Sequence, residues 1–275
     1  RDVAVTGVQT CALPIFTGET TTGQEVMRLA AGNLKKVSLE LGGKSPNIVF
    51  ADADIERFAA ESPYSVFDNT GQDCCARSRI IVHRSVHERV VEAFVAATGR
   101  MKVGDPADPA TEVGPLVTFS HRQRVADYVA AGVAEGAELV CGGIAPSEPA
   151  LAEGAYLLPA VFDRAASGMR IVEEEIFGPV VAVIPFDTTE EAVALANASP
   201  YGLSGSIWTR DIARAVKVAK AVQTGVISVN CNNSVHIEAP FGGYKMSGLG
   251  RDLGLDAIRE YTEVKNVFVD LRDAE

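Results

Sequence analysis

Residues 180–230 read VVAVIPFDTTEEAVALANASPYGLSGSIWTRDIARAVKVAKAVQTGVISVN, and this stretch decides the fold class. The apolar run Val180–Pro185 is typical of a buried strand, and Thr189–Asn197 repeats apolar residues at helical spacing. The alternation then continues as a predicted strand, helix and strand over 204–208, 212–222 and 225–230. Because strands that alternate with helices usually pair in parallel, the sequence predicts an α/β fold with a mostly parallel sheet.

The rest of the chain extends this alternation in both directions. A helix is predicted to start after Asp54, and Pro63 should end or kink it. A helix over 86–97 should turn Val90, Phe94 and Val95 inward. The other predicted elements are helices ending near 31 and over 123–135 and 251–260, and strands over 37–41, 47–50, 79–83, 138–140 and 261–269.

Composition excludes several classes of protein. With 275 residues and 47% hydrophobic content, the chain is long enough for one large domain or two smaller ones. The net charge of −11 argues against a nucleic-acid partner, because the phosphate backbone would repel the protein. The apolar runs are too short to span a bilayer, and the N-terminus lacks the apolar region of a signal peptide, so no membrane partner is expected.

The cysteines and histidines suggest neither a disulfide framework nor a metal site. Five cysteines, an odd number at irregular spacing, fit a reducing and therefore cytoplasmic location. No two cysteines form a C-x₂-C pair, and the four histidines are scattered without zinc spacing. We expect no metal.

Two adjacent cysteines stand in the stretch Phe67-Asp68-Asn69-Thr70-Gly71-Gln72-Asp73-Cys74-Cys75-Ala76-Arg77-Ser78-Arg79, just after a glycine that can open a helix. A sulfur at a helix start would meet backbone N–H groups and the positive end of the dipole, which favour thiolate over thiol. Cysteine chemistry is therefore the first hypothesis. The alternative is a structural role, since free cysteine is among the most buried residue types.

Four motifs follow one another along the chain. They are Val37-Ser38-Leu39-Glu40-Leu41-Gly42-Gly43-Lys44-Ser45-Pro46-Asn47-Ile48-Val49-Phe50, the cysteine stretch, Glu174-Glu175-Ile176-Phe177-Gly178-Pro179, and Pro240-Phe241-Gly242-Gly243-Tyr244-Lys245-Met246-Ser247-Gly248. In this order they resemble the aldehyde dehydrogenase superfamily. The resemblance runs from about Phe16 to about Leu271 and implies the NAD(P)-dependent, non-acylating type. Because full-length relatives are close to twice as long, the chain resembles a C-terminal fragment.

The resemblance implies a division of the chain into parts. Residues 16–41 would be a remnant of the Rossmann-like dinucleotide-binding domain, 42–250 the aldehyde dehydrogenase-like catalytic domain, and 251–275 a C-terminal helix and oligomerisation strand. Residues 1–15 fit poorly because they break strand periodicity and end near a proline, so we interpret them as a non-native leader.

The predicted C-terminal strand indicates how the protein assembles. Tyr261–Val269 roughly alternates apolar with polar residues, and a strand there would be an open edge. The family uses the equivalent strand to build an intersubunit sheet, so the resemblance implies a homo-oligomer, a dimer or tetramer. The alternative is a strand added to the chain's own sheet.

The resemblance implies Cys74 as the catalytic nucleophile and Glu40 as the general base. The family's nucleophile follows Gly-Gln after one intervening residue, which selects Cys74 over Cys75. Glu40 lies between two leucines and is either exposed on the alternate face of a strand or held in a partly apolar pocket, where desolvation raises its pKa. The resemblance favours the pocket, and Cys75 and Phe241 are expected to line the substrate site.

The cofactor implied is NAD or NADP. A turn at Gly18 and Glu19 opens a helix whose free N–H groups form a natural phosphate site, and the family's corresponding turn contacts the pyrophosphate. Here Glu19 replaces the serine of the family's turn, and a carboxylate near a pyrophosphate is unfavourable unless it points away or caps the helix. The alternative to a phosphate site is an ordinary capped surface helix. Gly42 is also expected at the cofactor. Glu175 corresponds to the family's ribose-binding glutamate, and Phe177 to the phenylalanine beside the nicotinamide.

The implied reaction converts an aldehyde to a carboxylic acid through a thiohemiacetal and a thioester on cysteine. The residues do not specify which small-molecule aldehyde. Since the family's oxyanion asparagine and most of its dinucleotide-binding strands lie in the N-terminal half, we expect the isolated chain to be inactive. Two alternatives are a CoA-acylating enzyme, against which the general base Glu40 argues, and a non-catalytic protein that retains the fold.

Overall fold

The computed structural model describes residues 13–233 and 235–270, which form a seven-stranded sheet, two smaller sheets and surrounding helices. The strands are β1 (Ile15–Thr17), β2 (Ser38–Glu40), β3 (Pro46–Val49), β4 (Arg79–His83), β5 (Glu138–Cys141), β6 (Ala160–Asp163), β7 (Val180–Phe186), β8 (Tyr201–Gly202), β9 (Ser206–Trp208), β10 (Ser228–Val229), β11 (Tyr244–Lys245) and β12 (Gly248–Leu249). The helices are α1 (Thr20–Ala31), α2 (Ile55–Phe67), α3 (His87–Thr98), α4 (Phe119–Ala134), α5 (Arg170–Glu173), α6 (Thr189–Asn197), α7 (Ile212–Ala221) and α8 (Ala257–Glu260).

The large sheet has the strand order β10-β9-β3-β4-β7-β6-β5. Its neighbouring strands pair in parallel, except that β5 runs antiparallel to β6 at one edge. The predicted α/β fold with a mostly parallel sheet is therefore confirmed.

Alternating residues of the central strands pack into hydrophobic clusters on both faces of the sheet. Val49, Val82 and Val183 point to one face, where they pack with Phe58 of α2 and Phe94 of α3. The intervening residues point to the other face, where α4, α5, α6 and α7 cover them. Because both faces of the sheet are covered, its strands read as continuous apolar runs rather than as alternating ones.

Glu40 lies in the middle strand of a three-stranded sheet ordered β1-β2-β12. β1 pairs with β2 in parallel, and β12 pairs antiparallel on the other side, opposite Glu40 itself. Ile15, the last residue of the predicted leader, begins β1 and pairs with Ser38. The leader's residues 1–12 lie outside the described part of the chain.

Helix α2 runs through Pro63 to Phe67, so of the two predicted effects of the proline, an end of the helix at this residue is wrong. Asp54 caps its start by accepting the N–H of Arg57, as the sequence predicted. Val66 and Phe67 follow Pro63 and are fully buried, so their packing offsets the hydrogen bond that the proline cannot make. Among the helices of the described ranges, none combines the length and apolarity that crossing a bilayer requires.

The predicted C-terminal strand is absent from the described residues 261–270, which adopt no regular structure. Its apolar side chains, among them Val264 and Phe268, are almost fully exposed. The alternative that this segment joins the chain's own sheet is therefore wrong for the described residues, whereas an intersubunit strand stays a prediction. A strand requires a partner for its backbone hydrogen bonds, and the described residues supply none here.

Candidate active site

A cavity of about 950 Å³ lies between the β1-β2-β12 sheet, the cysteine turn and α4. It is lined by seven of the residues predicted from the sequence: Gly18, Glu19, Glu40, Gly42, Cys74, Glu175 and Phe177. Two predicted substrate-pocket residues are not part of this lining. Cys75 is buried, and Phe241 pairs through its backbone with Asp252. Their place at the substrate site stays a prediction.

The segment before Cys74 is a strained turn and not the start of a helix. Asn69, Thr70 and Gly71 have φ of +48°, +61° and +69°, and the β-branched Thr70 rarely adopts this left-handed conformation. A Cβ at Gly71 would come within 2.3 Å of the Gly178 oxygen. The predicted helix start is therefore wrong, because the chain turns left-handed here to pack against Gly178.

The surroundings of Cys74 favour the thiol. Its hydrogen bond with Cys75 and its burial raise its pKa, and the negative charges of Asp73 and Glu175 act in the same direction. A raised pKa means that the neutral form predominates at neutral pH. The prediction that a helix dipole stabilises the thiolate is thus wrong for this chain, and deprotonation of Cys74 requires a base.

Glu40 is a buried carboxyl without hydrogen-bond partners. Its side chain is 6% exposed, and neither carboxyl oxygen has a partner in the described part of the chain. Burial raises its pKa to about 7; Asp252 adds to the rise and Arg251 opposes it. A Cβ at Gly242 would come within 2.8 Å of Oε1, so the glycine makes room for the carboxyl.

The Gly42-Gly43 turn holds Glu175 beside the cysteine turn. The N–H of Gly43 donates to Oε1 of Glu175 at 3.0 Å. A Cβ would come within 2.0 Å of Glu175 Oε2 if placed at Gly42, and within 2.1 Å of the Cys74 oxygen if placed at Gly43. Two consecutive glycines are therefore required for this close approach. Burial raises the pKa of Glu175, whereas the Gly43 N–H and nearby Lys44 oppose the rise.

Glu19 caps helix α1. Its carboxylate accepts from the N–H of Thr22 at 3.3 Å and from the hydroxyl of Thr21, and this side-chain bond lowers its pKa. The capping role that the sequence left open is the one present. Gly18 donates its own N–H to the Glu40 carbonyl at 3.0 Å, so this group is already engaged.

Helix α4 contributes side chains to the cavity that the sequence did not predict. His121, Arg124 and Tyr128 recur at helical spacing of three and four residues along one side of α4, and all three line the cavity. That spacing is readable from the sequence. That these side chains line the cavity could not be read from it, because the cavity forms between α4 and the turn at Phe177, which is distant from α4 in the sequence.

Lys44 is the other residue that sequence reasoning missed. Its side chain is almost fully buried, and Nζ has no hydrogen-bond partner within the described ranges. Burial lowers its pKa to about 7; Arg79 adds to the effect and Glu175 opposes it. Lys44 directly follows the Gly-Gly turn, whose Gly42 lines the cavity.

One group of side chains has the proximity that metal binding requires. The ligand atoms of Asp73, Cys74 and Cys75 lie within 4.8 Å of one another. Structural zinc sites have four ligands in tetrahedral arrangement, and the described residues bring no fourth to this group. The three adjacent residues therefore do not form a structural zinc site.

Comparison with known proteins identifies the family of the chain. Residues 4–267 match the sequence model of the aldehyde dehydrogenase family. The chain belongs to the aldehyde dehydrogenase family. The match begins inside the segment that was interpreted as a non-native leader.

Individual aldehyde dehydrogenases agree in sequence and structure. Betaine aldehyde dehydrogenase of Bacillus subtilis is 44% identical over 259 residues, which are 94% of this chain and 53% of that protein. Retinal dehydrogenase 2 of Homo sapiens is 44% identical over 255 residues, covering 92% and 48% respectively. The crystal structure of Mycobacterium tuberculosis aldehyde dehydrogenase complexed with NAD+ has a TM-score of 0.91 at 41% identity and covers 96% of this chain and 54% of that one. The chain thus spans about half the length of these relatives.

Proposed function

We propose that the protein containing this chain oxidises an aldehyde to a carboxylic acid, with NAD(P) accepting the hydride. The observation that carries the proposal is that Cys74, Glu40, Glu175 and Phe177 line one cavity although they come from separate segments. They supply a nucleophile, a base, a carboxylate for ribose hydroxyls and an aromatic ring. These are the parts that such a reaction needs.

Cys74 acts as the nucleophile. Its Sγ bonds to the aldehyde carbon while the π bond of the carbonyl breaks towards oxygen, which gives a thiohemiacetal oxyanion on the chain. Because the pKa of Cys74 is raised, its proton must pass to a base as the bond forms. Loss of hydride from the thiohemiacetal then leaves a thioester on Cys74.

Glu40 acts as the base. A carboxyl whose pKa is about 7 is present in both protonation states at neutral pH, so it can accept a proton and return it. Glu40 takes a proton from water, the water oxygen bonds to the thioester carbon, and the C–S bond breaks. The acid leaves, and Cys74 regains its proton.

Gly18, Glu19, Gly42, Glu175 and Phe177 form the proposed cofactor site. NAD(P), when bound, supplies the hydride acceptor. Glu175 is already oriented by the Gly43 N–H, and the absence of a Cβ at Gly42 leaves space beside its Oε2. The Mycobacterium tuberculosis neighbour is complexed with NAD+, which supports a nicotinamide dinucleotide.

The proposal extends to the organisation of the whole protein. Residues 16–41 belong to the dinucleotide-binding domain, 42–250 to the catalytic domain and 251–275 to a C-terminal assembly segment. The exposed apolar side chains of 261–270 support a homo-oligomer in which this segment is covered. The odd number of cysteines supports a cytoplasmic location. Because relatives are about twice as long, the isolated chain is inactive.

A chimaeric enzyme tests the proposal. The N-terminal half of the Bacillus subtilis relative is joined to this chain, and aldehyde-dependent NADH formation is measured. The chimaera is expected to turn over, Cys74→Ser to abolish turnover, and Cys75→Ser to retain it. A folded chimaera without turnover, or an active Cys74→Ser variant, would refute the proposal.

One observation favours a second candidate, a non-catalytic protein that retains the fold. The raised pKa of Cys74 describes an unactivated thiol. The same chimaera separates the two candidates, since a non-catalytic protein would bind the dinucleotide without forming NADH. The other alternative ends in transfer to coenzyme A, and acyl-CoA among the products would identify it.

A further inference from the structure

The turn after Glu175 holds Phe177 in an unusual conformation. Phe177 has φ of +54°, in the left-handed region that residues other than glycine rarely adopt. Its ring is 42% exposed and lines the cavity. An aromatic residue retains such a backbone only where its surroundings fix it.

Two packing contacts fix the residue after Phe177. A Cβ at Gly178 would come within 2.6 Å of the Val125 side chain of α4, and a Cβ at Gly71 would come within 2.3 Å of the Gly178 oxygen. The turn is therefore clamped between α4 and the segment that leads to Cys74. These contacts hold Gly178 but leave the Phe177 carbonyl to another partner.

His121 of α4 is that partner. Its Nε2 lies 2.6 Å from the carbonyl oxygen of Phe177, a short distance for an N–H···O bond. His121 is one of the buried residues of α4, and the centroids of the His121 and Phe177 rings are 6.2 Å apart.

Arg124 determines which nitrogen of His121 carries the proton. Its Nη2 lies 3.0 Å from Nδ1 of His121. A guanidinium only donates hydrogen bonds, so Nδ1 must be the acceptor and must lack a proton. The neutral ring then carries its proton on Nε2, and a carbonyl requires a donor at that position. Both contacts therefore demand the same tautomer.

We propose that His121, held as the Nε2–H tautomer by Arg124, is a positioning residue that fixes the Phe177 backbone and thereby keeps the Phe177 ring at the cavity. The role as a nicotinamide contact rests on the proposed function, but the positioning itself does not. His121 touches the backbone of the turn and not the reacting atoms.

The residue before Glu175 is anchored independently. Tyr128 donates its hydroxyl to Oε2 of Glu174 at 2.6 Å, and Arg170 donates to both carboxylate oxygens of the same residue. Loss of the His121 bond should therefore loosen Phe177 and leave Glu174 in place. The expected effect is local, which separates positioning from a general loss of stability.

The first test observes the tautomer directly in the 275-residue chain. Nitrogen-15 NMR of the imidazole rings distinguishes Nε2–H from Nδ1–H, and the signal missing from His121→Gln identifies His121 among the four histidines. We expect the Nε2–H form at about pH 7.5, and a mixture of tautomers in Arg124→Met. A His121 ring that carries its proton on Nδ1, or on both nitrogens, would overturn the proposal.

The second test measures the freedom of the turn by chymotrypsin cleavage after Phe177, quantified by peptide mass spectrometry. His121→Ala should raise the cleavage rate about tenfold, the factor that corresponds to about 1.4 kcal/mol for one hydrogen bond. His121→Gln retains a donor and should restore much of the protection. Gln123→Ala is the control, because Gln123 lies on the exposed side of α4 and donates its side-chain hydrogen bond to Asp127 of the same helix.

Cleavage at the parental rate in His121→Ala, or an equal rise in Gln123→Ala, would contradict the proposal. If His121→Ala does not fold, the glutamine variant and the tautomer measurement decide the question. Neither readout uses turnover. An inactive enzyme with the expected tautomer would therefore refute the proposed function and leave the positioning role standing.

Discussion

Replacing Glu40 by glutamine should remove a pH-dependent loss of stability. The pKa of Glu40 is about 7 in the folded chain, against an ordinary value of 4.5. Below pH 4.5 the carboxyl is protonated in both the folded and the unfolded chain. As the pH rises from 4.5 through 7, the unfolded chain ionises first, so the free energy of unfolding falls. The full difference corresponds to about 3 kcal/mol.

Urea unfolding at several pH values measures this effect. The single tryptophan, Trp208, is fully buried and reports unfolding by fluorescence. Between about pH 5 and about pH 8 the stability of Glu40→Gln should rise relative to the parent by about 2–3 kcal/mol. Glu92→Gln, on the exposed side of α3, is the control and should show no such change. A Glu40→Gln difference that stays constant with pH would refute the reasoning about the buried carboxyl.

Three further predictions follow from the same site. Gly43→Ala would place its Cβ 2.1 Å from the Cys74 oxygen and should lower the free energy of unfolding, measured in urea, by about 3 kcal/mol or more. Gly99→Ala is the control, because a Cβ there would lie 3.4 Å from its nearest neighbour and should change the stability little. Equal losses in the two variants would contradict the close approach at Gly43. As the pH rises from 7 towards 10.5 the parent should gain stability, because the buried Lys44 amine is neutral above its pKa of about 7 while the amine of the unfolded chain is still charged. Lys44→Met should abolish this gain in urea unfolding. A variant with the same pH profile as the parent would show that burying the Lys44 amine does not lower the stability. Because the pKa of Cys74 is raised, iodoacetamide should alkylate Cys74 in the isolated chain more slowly than free cysteine at neutral pH. Cys75→Ala should accelerate the alkylation of Cys74, because it removes the hydrogen bond between the two cysteines. Alkylation faster than that of free cysteine would contradict the raised pKa and show an activated thiol.

The sheet could be predicted from the sequence because its strands are buried on both faces. β7 and α6 lie where the apolar runs and helical spacing put them, and Thr188 caps α6 by accepting the N–H of Glu191. Here local propensity, capping and burial point to the same structure.

The turn before Cys74 could not be predicted in the same way. A glycine after polar residues is compatible with a helix start, and the left-handed Thr70 is held by a contact distant in sequence. Thr70 donates its hydroxyl to the Gly114 carbonyl. Tertiary packing thus overrides local preference at the position where the site needs a close approach.

Assembly and buried charge also escape sequence patterns. The alternation over 261–269 predicts a strand, but a strand forms only against a partner. Lys44 and His121 would be ordinary polar residues on sequence alone. Their roles depend on burial and on the residues that surround them in the folded chain.

The central claim is that Cys74 becomes acylated and that Glu40 releases the acid. Glu40→Gln in the chimaeric enzyme, mixed with an aldehyde and NAD+ and quenched in acid, tests it by peptide mass spectrometry. We predict an acyl group on Cys74 that accumulates because water is no longer activated. Modification of Cys75 instead, or turnover as fast as the parent with Cys74 unmodified, would contradict the account.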